Sequence, residues 1–148
     1  MFAELVCYYT YIGEKVFDRL NKLYQKYGYV FDKSVSTQYS GLNAMKDMTA
    51  VVDKLKTLSI DTIGEEKVFA MRDYSIAKRK LSSGEIEDLQ SPKTNAVYFE
   101  LEGGSFVCVR PSGTEPKLKV YYSIKAENEQ FAKEKFEKAV ASFEQLTK

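Results

Sequence analysis

Ten consecutive residues, Arg110-Pro111-Ser112-Gly113-Thr114-Glu115-Pro116-Lys117-Leu118-Lys119, gather many of the groups in this chain that could do chemistry. A guanidinium offers a planar fork of donors that suits phosphate oxygens in pairs. Ser112 and Thr114 add hydroxyl donors, and Lys117 and Lys119 add point charges. Gly113 has no Cβ, so its N–H can approach an anion closely, as in backbone nests. Pro111 and Pro116 fix their φ angles, which reduces the entropy lost when a ligand orders the loop. Glu115 would repel phosphate and is expected to point away or to pin a neighbouring lysine. The candidate anion contacts are Arg110, Ser112, Gly113, Thr114 and Lys119. Ser-Gly and Glu-Pro are also ordinary turn dipeptides, and a lysine at a strand end is ordinarily solvated. On residue types alone, an anion loop and a plain turn both stand.

The elements flanking the loop follow from hydrophobic period. Phe2, Leu5, Val6, Tyr9 and Ile12 recur at helical spacing up to Gly13, and Val16, Leu20, Leu23 and Tyr27 continue it up to Gly28. From Tyr29 the period becomes two and predicts a long strand closed by Ser40-Gly41. Met45, Met48, Val52 and Leu55 mark a helix with Asn43 as its N-cap. Val68 to Tyr74 reads as a strand, and Ser82 to Pro92 as an exposed loop. Asn95 to Leu101 and Ser105 to Arg110 read as strands joined at Gly103-Gly104. Leu118, Val120, Tyr122 and Ile124 alternate in a further strand, and Ala132, Phe136, Ala139, Val140, Phe143 and Leu146 stripe a closing helix. The order predicts an α+β layer, an antiparallel sheet with helices on one face, preceded by a short helical segment. If Leu118, Val120 and Tyr122 face the helices, Lys119 projects from the opposite face beside the loop.

Composition narrows the function classes. The chain has 148 residues, a net charge of +1 and no histidine. The charge gives no long-range field for nucleic acid or an anionic membrane, so neither is an expected partner. Lack of histidine excludes Ser-His-Asp and Cys-His catalysis and histidine metal sites. No G-x-x-x-x-G-K-[ST] or G-x-G-x-x-G string occurs. Cys7 and Cys108 lie in apolar runs without metal-ligand spacing, and are expected to be buried free thiols in a reducing, cytoplasmic setting. Glu65-Glu66 is expected to be a solvated turn. Glu85, Glu87 and Asp88 lack the pattern of a calcium loop, so no metal is expected on this chain.

The string R-P-S-G-T-E-P-K, followed by Leu118-Lys119-Val120-Tyr121-Tyr122, resembles the phosphate-binding loop in the last domain of the α-D-phosphohexomutases. Phosphoglucomutases, phosphomannomutases and related phosphopentose mutases make up that family. Met1-Phe2-Ala3-Glu4 and Leu20-Asn21-Lys22-Leu23-Tyr24-Gln25-Lys26-Tyr27-Gly28 resemble the close of the family's third domain, and the remainder resembles its fourth. The resemblance implies a helical tail at residues 1–30 and a carboxy-terminal phosphate-binding domain at residues 31–148, with a TATA-binding-protein-like layer and a hinge near Gly28 to Asp32.

It implies a four-domain enzyme that moves phosphate between sugar hydroxyls through a bisphosphorylated intermediate. A phosphoserine in the first domain and Mg²⁺ on an aspartate-rich loop of the second would do the chemistry, while a third-domain loop reads sugar hydroxyls. By match, Arg110, Ser112, Gly113 and Thr114, with Lys119, would grip the phosphate that is not reacting. The implied partners are glucose 1-phosphate, glucose 6-phosphate, glucose 1,6-bisphosphate and the remaining domains. Neither the family's nucleophile motif nor D-G-D-x-D-R occurs here, so this chain is expected to bind no cofactor and to be inactive alone. A fragment of a phosphopentomutase or phosphomannomutase, and a stand-alone anion-binding or interaction module, are the alternatives.

Overall fold

The period-two runs become strands of one antiparallel sheet in the computed structural model, which describes residues 1–147. Helices α1 (Phe2–Tyr11) and α2 (Val16–Tyr27) precede strand β1 (Tyr29–Gln38) and helix α3 (Ala44–Thr57). Strands β2 (Thr62–Ile63), β3 (Glu66–Asp73), β4 (Lys78–Leu81) and β5 (Ile86–Asp88) come next. Then β6 (Val97–Leu101), β7 (Phe106–Pro111) and β8 (Lys117–Ala126) lead to helix α4 (Glu129–Leu146). The sheet order is β1-β8-β7-β6-β3-β4-β5, with β2 paired to β3 off that path. The fold is the expected α+β layer with a short helical lead. Among the described residues, no helix is long and apolar enough to cross a membrane.

One face of the sheet makes the core. Val97, Phe99 and Leu101 of β6, Val107 and Val109 of β7, and Leu118, Val120, Tyr122 and Ile124 of β8 are all buried on it. Helix α3 covers them with Met48, Val52 and Leu55, and α4 with Ala132, Phe136, Ala139 and Phe143. Edge-on aromatic contacts tie α4 down, with Tyr122 against both Phe136 and Phe143, and Phe99 against Phe143. Close approach at one point demands glycine. Gly64 has φ +63°, and a Cβ there would stand 3.0 Å from the Ala139 backbone nitrogen of α4.

Five expectations need correction. Ser82 to Pro92 contains β5, which the sequence did not reveal because its strand signal is ionic. Lys78 bonds Asp88 and Arg79 bonds Glu87 across β4 and β5, where an apolar alternation would have been visible. Asn43 flanks α3 but makes no side-chain cap bond, whereas Asn128 Oδ1 accepts from the Phe131 N–H at the start of α4. Cys7 is exposed, because α1 buries no residue, and Cys108 is only half-buried on the uncovered sheet face. Glu66 is not a solvated turn residue: it opens β3 and its Oε1 accepts from Lys135 Nζ at 2.9 Å. A hinge cannot extend from Gly28 to Asp32, since Tyr29 to Asp32 are already paired with Ala126 to Ser123.

Candidate anion-binding site

The face of the sheet opposite the helices carries the loop's cations. Val107 and Val109 point into the core, so Arg110, on the other parity of β7, emerges on the uncovered side. Leu118, Val120 and Tyr122 are buried and Lys119 is exposed on the same uncovered side. Arg110 and Lys119 are direct cross-strand partners, so both positive side chains share one spot at the mouth of the loop. Ser36 of β1 faces Lys119 from the other side, and Ser34 faces Tyr121. Sequence alone cannot supply Ser34 and Ser36, because their relevance depends on the β1–β8 register. The alternation of Lys119 and Tyr121 with Leu118, Val120 and Tyr122 is visible in the sequence, but not what stands across from either.

The loop between β7 and β8 is held at its base and open at its tip. Ser112 N–H donates to the Lys117 carbonyl at 2.9 Å, and Lys117 N–H donates to that of Glu115 at 2.7 Å. Tyr39 N–H, at the exit of β1, donates to the Pro116 carbonyl at 2.8 Å. Among the described residues, no acceptor takes the N–H of Gly113, Thr114 or Glu115, and the Ser112 and Thr114 hydroxyls make no hydrogen bond. Gly113 does not have a left-handed φ, and a Cβ built there would meet nothing within 4 Å. Nothing in the chain's own packing therefore demands glycine at this position.

Charge balance separates this end of the face from the other. On β3, β4 and β6 the arginines are spent: Arg72 Nε and Arg79 Nε reach Glu100 Oε1 at 2.6 and 2.7 Å. Arg79 also bonds Glu87 at 2.7 Å. Arg72 lies over the Tyr98 ring, which stacks on Phe106. The two arginines hold the Glu100 carboxyl down at about 2, with Arg79 the larger influence and burial opposing. By contrast, among the described residues Arg110, Lys117 and Lys119 enter no salt bridge, nor does Glu115. Like charges placed directly across two strands destabilise a sheet. Burial pushes the Cys108 thiol up, and the charge of Arg110 acts in the opposite direction. Among the described residues the site thus combines a guanidinium, an ammonium, two free hydroxyls and three free N–H groups, with no acid neutralising the cations.

Metal binding has no comparable support. Among the described residues no group of three His, Cys, Asp or Glu side chains could hold an ion. Glu87, Glu100 and Asp88 are already engaged by arginine or lysine. The residues present do not fit Mg²⁺.

A family model described as the phosphoglucomutase/phosphomannomutase C-terminal domain matches residues 65–140, just over half of the chain. This chain belongs to that family. The phosphohexomutase match begins just before β3 and ends within α4, so it contains the whole of β7, the loop and β8. The phosphoglucomutase of Staphylococcus haemolyticus is 34% identical over 131 residues, which are 85% of this chain and 24% of that one. The phosphoglucomutase of Staphylococcus saprophyticus is 31% identical over 112 residues, 75% of this chain and 20% of that one. Parafusin of Paramecium, a phosphoglucomutase solved in an open form, aligns with 90% of this chain and 22% of its own at a TM-score of 0.49 and 13% identity. The chain spans about a fifth to a quarter of the length of the curated relatives it matches.

Proposed function

We propose that this chain is the phosphate-holding carboxy-terminal part of a phosphoglucomutase-like enzyme that interconverts sugar 1-phosphates and 6-phosphates through a bisphosphate intermediate. Arg110 grips two phosphate oxygens, the Ser112 and Thr114 hydroxyls and the N–H groups around Gly113 supply further donors, and Lys119 adds charge from the neighbouring strand. The observation that carries this reading is the unneutralised Arg110–Lys119 pair beside three unpaired loop N–H groups. A pair of like charges that finds no acid among the described residues suits an external anion.

The chain's contribution to turnover is positioning. Binding energy from the phosphate that does not react aligns the other end of the substrate and helps enclose it. Arg110, Gly113 and Thr114 are exposed, so the loop forms one wall of a site whose other walls lie in further domains. Those domains carry the phosphoserine and the Mg²⁺ loop, and without them the chain does not turn over substrate. The division between domains falls at Gly28, which has φ +90° just before the first paired strand. Helices α1 and α2 bury no residue and leave Phe2 73%, Tyr11 89% and Phe17 77% exposed, which supports their packing against a preceding domain. Two free cysteines suit a cytoplasmic setting.

Titration of the chain with inorganic phosphate, followed by backbone amide NMR, tests the reading. Shifts confined to residues around 110–119 are expected, and Arg110→Ala should weaken binding by about 10- to 100-fold, the worth of a charge-assisted hydrogen bond. The variant should remain folded, because it relieves a like-charge pair. Equal affinity in both proteins would contradict the assignment of Arg110.

A further inference from the structure

The cation pair does not stand alone on its face. Two residues further along β7 and β8, the next cross-strand pair on the same side is Cys108 and Tyr121. The step between the two rows is about 6.7 Å. Beyond Tyr121 on β1 lies Ser34, and beyond Lys119 lies Ser36, both exposed and both without a side-chain hydrogen bond among the described residues.

Tyr121 differs from the other aromatic residues of this face. Tyr98 is stacked on Phe106 and covered by Arg72, and Phe69 lies under Arg79. Those rings are committed to the fold. Tyr121 has no ring partner, no cation over it and no hydrogen bond from its hydroxyl among the described residues, and it is 38% exposed on a strand paired on both sides. An apolar ring face with a polar tip, bordered by free hydroxyls, is the surface that a sugar offers its own C–H face and hydroxyls to.

We infer that Tyr121 is the floor on which the sugar of a bound phosphosugar rests, with Ser34 and Ser36 within reach of its hydroxyls. This rests on the phosphate reading above: the phosphate sits at Arg110 and Lys119, and the ester directs the ring back along the strands over Tyr121. The domain then discriminates a hexose phosphate from bare phosphate by itself. Tyr121 is a positioning and specificity residue, since it touches the sugar and takes no part in phosphate transfer.

The experiment titrates the whole 148-residue chain with inorganic phosphate and with glucose 6-phosphate. Tyr121→Phe and Tyr121→Ser are compared under the same conditions. Glucose 6-phosphate is expected to bind about three- to tenfold tighter than phosphate, the range an aromatic contact provides. Nuclear Overhauser contacts should join the Tyr121 ring protons to sugar C–H protons in the wild-type chain, a readout independent of whether a variant folds. Tyr121→Phe should keep the advantage, and Tyr121→Ser should erase it while leaving inorganic phosphate affinity unchanged. Equal affinities with no contact to the ring would overturn the role of Tyr121 and leave the phosphate site standing. No loop shift with either ligand would overturn the phosphate reading, and this inference with it.

Discussion

Glu100 gives the fold a charge-dependent keystone that can be removed with one substitution. Its carboxylate accepts from Arg72 and Arg79 at 2.6 to 3.0 Å, and its side chain is only 18% exposed. A carboxyl that titrates at about 2 in the fold against 4.5 when free ties roughly 3 kcal/mol of folding free energy to its ionised form. The folded value is depressed, so this stability is complete above the free value and is lost as pH falls from about 4.5 to about 2. Glu100→Gln keeps the shape, removes the charge and leaves two arginines facing a neutral amide. Urea unfolding followed by circular dichroism should find the variant about 2–3 kcal/mol less stable near neutral pH. The gap should close progressively as pH falls from about 4.5 to about 2, because the unfolded chain takes up the proton first while the folded carboxylate keeps its charge down to the lower value. Two stability curves that run parallel from neutral to strongly acid pH would refute the electrostatic account of this network.

Gly64→Ala should cost about 2 kcal/mol or more in the same urea assay, because a Cβ at a positive φ would press on the α4 backbone; a midpoint equal to wild type would mean that α4 shifts freely. Gly113→Ala should change stability by no more than about 0.5 kcal/mol, since open space surrounds its Cβ position. It should nevertheless weaken phosphate binding measured by amide NMR, and unchanged affinity would show that close approach at Gly113 is not used.

What the sequence reveals about this fold depends on how each element announces itself. Strands β6, β7 and β8 were legible because their buried residues alternate, and α3 and α4 because Met48, Val52 and Leu55, and Phe136, Ala139 and Phe143, recur at helical steps. Strands β4 and β5 were not, since they are short and stitched by ion pairs between residues that read individually as solvated. The exposed state of Cys7 escaped notice for a related reason: an apolar helix reads as buried, yet α1 has no covering partner within these residues. For the loop, the donors could be read directly, and the opposite-face position of Lys119 followed from parity. Its direct pairing with Arg110, the anchoring of Pro116 by Tyr39, and the hydroxyls of Ser34 and Ser36 all depend on strand register. Register is a long-range property that local spacing does not encode.

The most direct measurement is a crystal structure of the chain with glucose 6-phosphate. The account predicts the phosphate on the uncovered sheet face, with oxygens about 3 Å from the Arg110 guanidinium nitrogens and from loop N–H groups at Gly113 or Thr114. A phosphate seated elsewhere, for example at Lys125 and Lys135, with the loop of residues 111–117 empty at saturating ligand, would contradict it.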